Sequence, residues 1–211
     1  MDIKQTEMWR QVSWSALLAR IGFIGYFIFS LWSVQPAGMV LFPHSQLTVV
    51  WTLYLLVIYL AAEYLSRVYL RRGIDLTFAF PLLLGMYLLT LVSLLSGGQD
   101  YNPVINRAEH YASFVLITFI VWVFFSKYLP HTVWRDHPYY TAVLVLAVTS
   151  TIGVGNELME LLFDTWFDTR LIGTSLDTSL DLLMNTLGAA SFLGLRLLLG
   201  RVESQGQQGA P

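Results

Sequence analysis

Six apolar runs divide this chain, each near the length of a bilayer crossing, and leave little sequence between them. A helix needs about 20 largely apolar residues to cross the hydrocarbon core. Such runs cover Ala16–Val34, Leu47–Leu65, Leu76–Leu95, Tyr111–Leu129, Tyr140–Phe163 and Leu176–Leu199. The expected fold is all-α: a polytopic membrane helix bundle of about six transmembrane helices, forming one domain over residues 1–200. The first run is long for a signal-peptide core and is followed by further spans, so it is expected to be retained. Residues 201–211 are polar and Gly- and Gln-containing, and are expected to form a disordered tail.

Composition agrees. Only 12% of the residues are charged, against about 25% in soluble domains, and the mean hydropathy is +0.59. Seven Trp, eleven Tyr and thirteen Phe supply the rings that favour membrane interfaces. The absence of Cys removes thiol catalysis, thiolate metal sites and disulfides. A net charge of −2 gives no basis for a nucleic-acid partner. The implied partner is the lipid bilayer.

Orientation follows from Lys and Arg in short loops. The N-terminus, the second and fourth loops and the C-terminus hold Lys4, Arg10, Arg67, Arg71, Arg72, Lys127, Arg135, Arg196 and Arg201, and Arg20 can snorkel to that side. The other side has only Arg107 and Arg170. Both termini are therefore expected in the cytoplasm. Acidic residues divide the opposite way. Asp100, Glu109, Glu157, Glu160, Asp164, Asp168, Asp177 and Asp181 all fall in the outer half, leaving it eight acidic against two basic, a net −6. Such a field suits a cation or a cationic group near the outer face.

Three helix ends meet there. The fifth span places Thr149, Gly153, Asn156, Glu157, Glu160 and Asp164 within an arc of roughly 100°. The sixth opens with Asp177, Asp181, Asn185 and Gly188 within roughly 80°. The fourth is preceded by Asn102-Pro103, an expected helix start, and then presents Asn106, Arg107, His110 and Ser113 on a broad face. Carboxylates inside a membrane cost at least roughly 2.5–3.5 kcal/mol unless they face the bundle interior or water. These faces are therefore expected to look inward. As a metal site, Glu160, Asp177 and Asp181 would be the ligands. Mg²⁺, Mn²⁺ or Ca²⁺ suits an oxygen set, and Zn²⁺ becomes suitable with His110. His110 or Glu157 would serve as general base and Arg107 would clamp an anionic group. Asn106, Asn156 and Asn185 would contact substrate.

Plainer readings use the same residues. Asp177 suits a helix cap, Asp164 and Asp168 suit solvated loop charges, and Arg107 could neutralise Glu157 or Glu160 in an ion-pair network. Glu63 and Arg67 suit an ordinary (i, i+4) pair. His44, His131 and His137 fall in loops and take no role. Gly153-Val154-Gly155 reads as helix packing.

The stretches Asn106-Arg107-Ala108-Glu109-His110, Glu157-Leu158-Met159-Glu160 and Asp177-x3-Asp181-x3-Asn185-x2-Gly188 resemble the VanZ-like integral membrane proteins, and within them the YjdF-type branch. The resemblance covers about residues 102–199. It differs from VanZ proper where Leu161 follows Glu160, a place where a Glu-Gln pair is common. It implies a cell-envelope protein of a bacterial cytoplasmic (inner) membrane. Three functions follow from the residues and the resemblance. The first is metal-assisted hydrolysis or transfer on a lipid-linked envelope substrate. The second is binding or transport of a cation or small molecule, which requires a polar path onward to the cytoplasm. The third is an accessory structural role with the cluster as an ion-pair network.

Overall fold

The computed structural model describes residues 14–35, 38, 48–96, 103–130, 133, 136–167 and 173–208. The expected cap Asn102 lies outside these residues, as do Asp100, Asp168, Arg170, His44 and His131, and Lys4, Arg10 and Arg135 of the orientation argument. Six long helices follow in order: α1 Trp14–Ser33, α2 Thr48–Leu70, α3 Ala79–Leu95, α4 Pro103–Tyr128, α5 Pro138–Phe167 and α6 Ser175–Gln208. Each coincides with one apolar run. Five are long and apolar enough to cross a membrane. The exception is α3, whose 17 residues rise only about 25 Å. Helix α6 stays helical past Arg201 to Gln208.

The chain divides into two compact units, Met1–Gly97 and Gly98–Pro211. In the first, α1 buries Ala16, Ala19, Phe23, Tyr26, Ser30 and Ser33, one stripe at helical spacing. Its other side exposes Leu18, Ile21, Ile24, Ile28 and Leu31, a surface suited to lipid rather than water. Phe23 and Tyr26 pack on Tyr87 of α3, and the Tyr87 hydroxyl donates to the Leu55 carbonyl of α2 at 2.8 Å. Helix α2 closes on a left-handed Gly73, φ +80°. The Gly73 N–H bonds the Leu70 carbonyl and the Ile74 N–H bonds that of Tyr69. This is a Schellman stop, for which glycine carries no Cβ penalty.

One expectation changes here. Arg20 does not simply snorkel, and Glu63 is not chiefly the partner of Arg67. Arg20 Nε and a terminal guanidinium nitrogen donate to the two Glu63 oxygens at 2.5 and 3.2 Å. The Tyr59 hydroxyl donates to the same carboxylate at 3.0 Å, and the guanidinium lies over the Phe80 ring, 4.5 Å from its centroid. A charge two turns inside a span needs a counter-charge, and α2 supplies it.

The second unit packs α4, α5 and α6 together, with α5 antiparallel to the other two. Pro103 and Pro138 occupy first-turn positions, where the missing N–H costs nothing. At the start of α6, Thr174 Oγ1 accepts the Asp177 N–H at 3.2 Å, a capping arrangement with an acidic residue at the third helical position. An apolar layer of Trp122, Ala142, Val145 and Leu193 packs this unit towards the C-terminal end of α4 and the N-terminal end of α5. Above it, at the N-terminal ends of α4 and α6 and the C-terminal half of α5, the buried residues become polar.

Candidate membrane-embedded polar site

Close backbone packing brings the three helices together. A Cβ on Gly188 of α6 would collide with the Tyr111 carbonyl of α4. A Cβ on Gly153 of α5 would sit 3.2 Å from both Asn185 Nδ2 and the Phe114 ring. These two glycines let α4, α5 and α6 converge just below the acidic residues. Gly155, by contrast, has open space beside it. The packing reading of Gly153-Val154-Gly155 therefore rests on its first glycine.

The polar residues form three levels. At the rim, a guanidinium nitrogen of Arg107 donates to Asp177 Oδ1 at 3.1 Å, with the Asp177 side chain 31% exposed. One turn deeper, Asn106 Nδ2 lies 3.4 Å from each oxygen of Asp181, and His110 Nε2 lies 3.8 Å from Asp181 Oδ2. On α5 facing them, Asn156 Nδ2 donates to Glu160 Oε1 at 2.8 Å. At the floor, His110 Nδ1 meets Asn185 Oδ1 at 3.0 Å. An amide oxygen only accepts, so His110 Nδ1 carries the proton and Nε2 is turned to the carboxylates.

Burial makes the arrangement costly. Glu157 and Glu160 are 5% exposed, Asp181 3% and Asn185 2%. Those three carboxylates share the interior with His110, while the guanidinium of Arg107 is paired at the rim. Neither oxygen of Glu157 is in hydrogen-bonding geometry with a donor, the neighbouring Asn156 amide donating to Glu160 instead. Ligand atoms of His110, Glu157 and Glu160 lie within 4.8 Å of one another, close enough to share one ion. Two carboxylates and an imidazole suit Zn²⁺ or Mn²⁺, and the oxygens alone also suit Mg²⁺.

The grouping of these residues differs from what spacing suggests. Of the expected ligands Glu160, Asp177 and Asp181, only Glu160 joins the cluster. Asp177 is held at the rim by Arg107, and Asp181 is held by Asn106 beside His110. His110 and Glu157 join Glu160 instead. Asn106 and Asn185 reach across from one helix to another. Asn156 reaches Glu160 on its own helix. Asp164 is half-buried in the last turn of α5 rather than in a loop. Sequence reasoning misses Thr174, although Thr174-x-x-Asp177 is itself a capping signal. It also misses Phe114, one turn below His110, whose ring faces Gly153 and whose Cβ faces Gly188.

No curated protein and no solved structure matches this chain. A family's sequence model does match, over residues 17–201, which takes in both units and every residue of the polar site. The chain belongs to that family, the predicted membrane proteins grouped as DUF2238.

Proposed function

We propose that the second unit holds a divalent cation between His110, Glu157 and Glu160, and that this metal serves hydrolysis or transfer on a lipid-linked envelope substrate. The observation that carries the reading is Glu157. Both of its oxygens are buried in a membrane helix without a donor in hydrogen-bonding geometry, with two other ligand-type side chains within 4.8 Å. A bare buried carboxylate is strongly unfavourable, and a cation at the cluster removes that cost. His110 fits the role, because Asn185 holds its Nδ1 proton and leaves Nε2 for the metal.

His110, Glu157 and Glu160 would hold the metal, which would supply Lewis acidity towards a phosphoryl or carbonyl oxygen. Asp181, the buried carboxylate outside the cluster, would take the proton of an attacking water and return it to the departing oxygen. The lysine and arginine distribution supports a reading with both termini in the cytoplasm and this site towards the outer face of a bacterial cytoplasmic membrane. The VanZ-like resemblance points to the same envelope setting.

Below the site the buried hydroxyls of Thr118, Thr149 and Thr141 are given to backbone carbonyls, and Trp122, Ala142, Val145 and Leu193 form an apolar cluster, which disfavours transport through it. A structural role has a specific observation behind it: Arg107–Asp177, Asn106–Asp181 and His110–Asn185 all tie α4 to α6. Metal analysis separates the two readings. Monodisperse wild-type protein in detergent should carry near-stoichiometric Zn²⁺, Mn²⁺ or Mg²⁺, and Glu157→Gln should lose it while remaining folded. Wild-type protein that takes up none of these metals, with Glu157→Gln as stable or more so, overturns the proposal.

A further inference from the structure

Two arginines of the first unit carry charge that the fold does not use. Arg20 and Tyr59 occupy the carboxylate of Glu63, one turn before Arg67. Among the described residues neither Arg67 nor Arg71 has an acidic partner, and both are exposed. The Arg71 N–H bonds the Arg67 carbonyl, so helical geometry reaches Arg71 and the two side chains leave one face, one turn apart. Like charges at that spacing repel. An anion between them removes the repulsion.

The rest of that face says what kind of anion fits. At 100° per residue, Leu53, Val57, Leu60, Tyr64, Arg67 and Arg71 fall within an arc of roughly 80°, and all six are exposed. The apolar span on this helix ends at Leu70, so the two arginines stand at its polar edge. From Val57 to Arg67 the helix rises about 15 Å, half of a hydrocarbon core of about 30 Å. The face therefore offers one leaflet's depth of apolar side chains, then an interfacial tyrosine, then two cations. A soluble phosphate uses only the cations. A phospholipid uses the whole stripe.

We infer that this face of α2 binds an anionic phospholipid, its phosphate held between Arg67 and Arg71 and an acyl chain laid along Tyr64, Leu60 and Val57. Guanidinium groups make charge-assisted hydrogen bonds to phosphate oxygens. A zwitterionic lipid brings its own ammonium group, which offsets the attraction. On the orientation proposed above, this end of α2 lies in the cytoplasmic leaflet, whose surface is anionic. Arg72 does not share the face. Its N–H turns to the Tyr69 carbonyl, and its guanidinium lies 5.9 Å from the Tyr69 ring centroid.

The test is native mass spectrometry of full-length protein in detergent, titrated with phosphatidylglycerol and with phosphatidylcholine of the same chains. Phosphatidylglycerol should bind about tenfold more tightly or better. Arg67→Gln and Arg71→Gln should each weaken it about fivefold, and the double variant should lose the preference with its lipid-free melting temperature unchanged. Arg72→Gln should leave binding nearly as it was, and excess glycerol phosphate should not displace the lipid. Equal binding of the two lipids by wild-type protein, or a double variant that keeps the preference, overturns the inference. So does an Arg72→Gln loss as large as the others, which would mean a diffuse basic surface. Displacement by glycerol phosphate would assign a soluble ligand, and a lipid-free dimer broken by the double variant would assign the face to a second copy; either overturns it too.

Discussion

Asn185 accepts a hydrogen bond from His110 Nδ1 at 3.0 Å, and so determines which imidazole nitrogen faces the buried carboxylates. The two residues lie 75 positions apart, on α6 and α4. The bond links the helix pair and also sets the chemistry of the ring.

Replacing Asn185 with Leu removes that acceptor and leaves an imidazole N–H buried. Metal affinity should fall roughly 10- to 100-fold, as it does when the partner of a ligating histidine is lost. Competitive titration with a metal-sensitive dye measures this. An unchanged affinity would mean that His110 is not a ligand.

Gly188→Ala should destabilise the second unit. The added methyl meets a backbone carbonyl, Tyr111 O, which cannot swing aside. Overpacking of this kind costs about 1–3 kcal/mol, visible as a lowered melting temperature in detergent. Gly194→Ala is the control. It lies six residues further along α6 with nothing within 4 Å, so it should be neutral or mildly stabilising.

In the first unit, Glu63→Gln removes the counter-charge of Arg20, whose side chain is 25% exposed. Partial exposure moderates the penalty, so a loss of about 1–3 kcal/mol is expected. Arg20→Met combined with Glu63→Gln should recover part of it. A double variant whose loss equals the sum of the single losses would show that the pair is not coupled.

The absence of Cys makes orientation directly measurable. Asp136→Cys lies at an exposed position before α5, and Thr174→Cys at an exposed position before α6. A membrane-impermeant maleimide applied to intact cells should label the second and spare the first. The reverse pattern would invert the orientation argued from Lys and Arg.

The positions of all six helices were legible because apolar run length is a local property. The third run is long enough on paper, but Asp75 and Thr77 form a turn at its start, Asp75 Oδ1 accepting the Thr77 N–H at 2.8 Å. That turn delays the helix to Ala79. The polar arcs were legible for the same reason, since residues three and four apart share a helix face. Spacing cannot say how far a side chain reaches across to another helix. Asp177 and Asp181 are equivalent by spacing, yet one is tied by Arg107 at the rim and the other by Asn106 in the interior. The Arg20–Glu63 pair joins residues 43 positions apart, where Arg67 offers a nearer partner on the same helix. Only packing chooses between them.

The apolar layer beneath the site has an electrical consequence. Trp122, Ala142, Val145 and Leu193 act as a dielectric plug under a cluster rich in exchangeable protons and suited to a metal. In a membrane such a layer opposes the passage of ions and protons from the cluster towards the other end of the three helices. A membrane that stores energy as a proton gradient can carry this acidic site without being short-circuited by it.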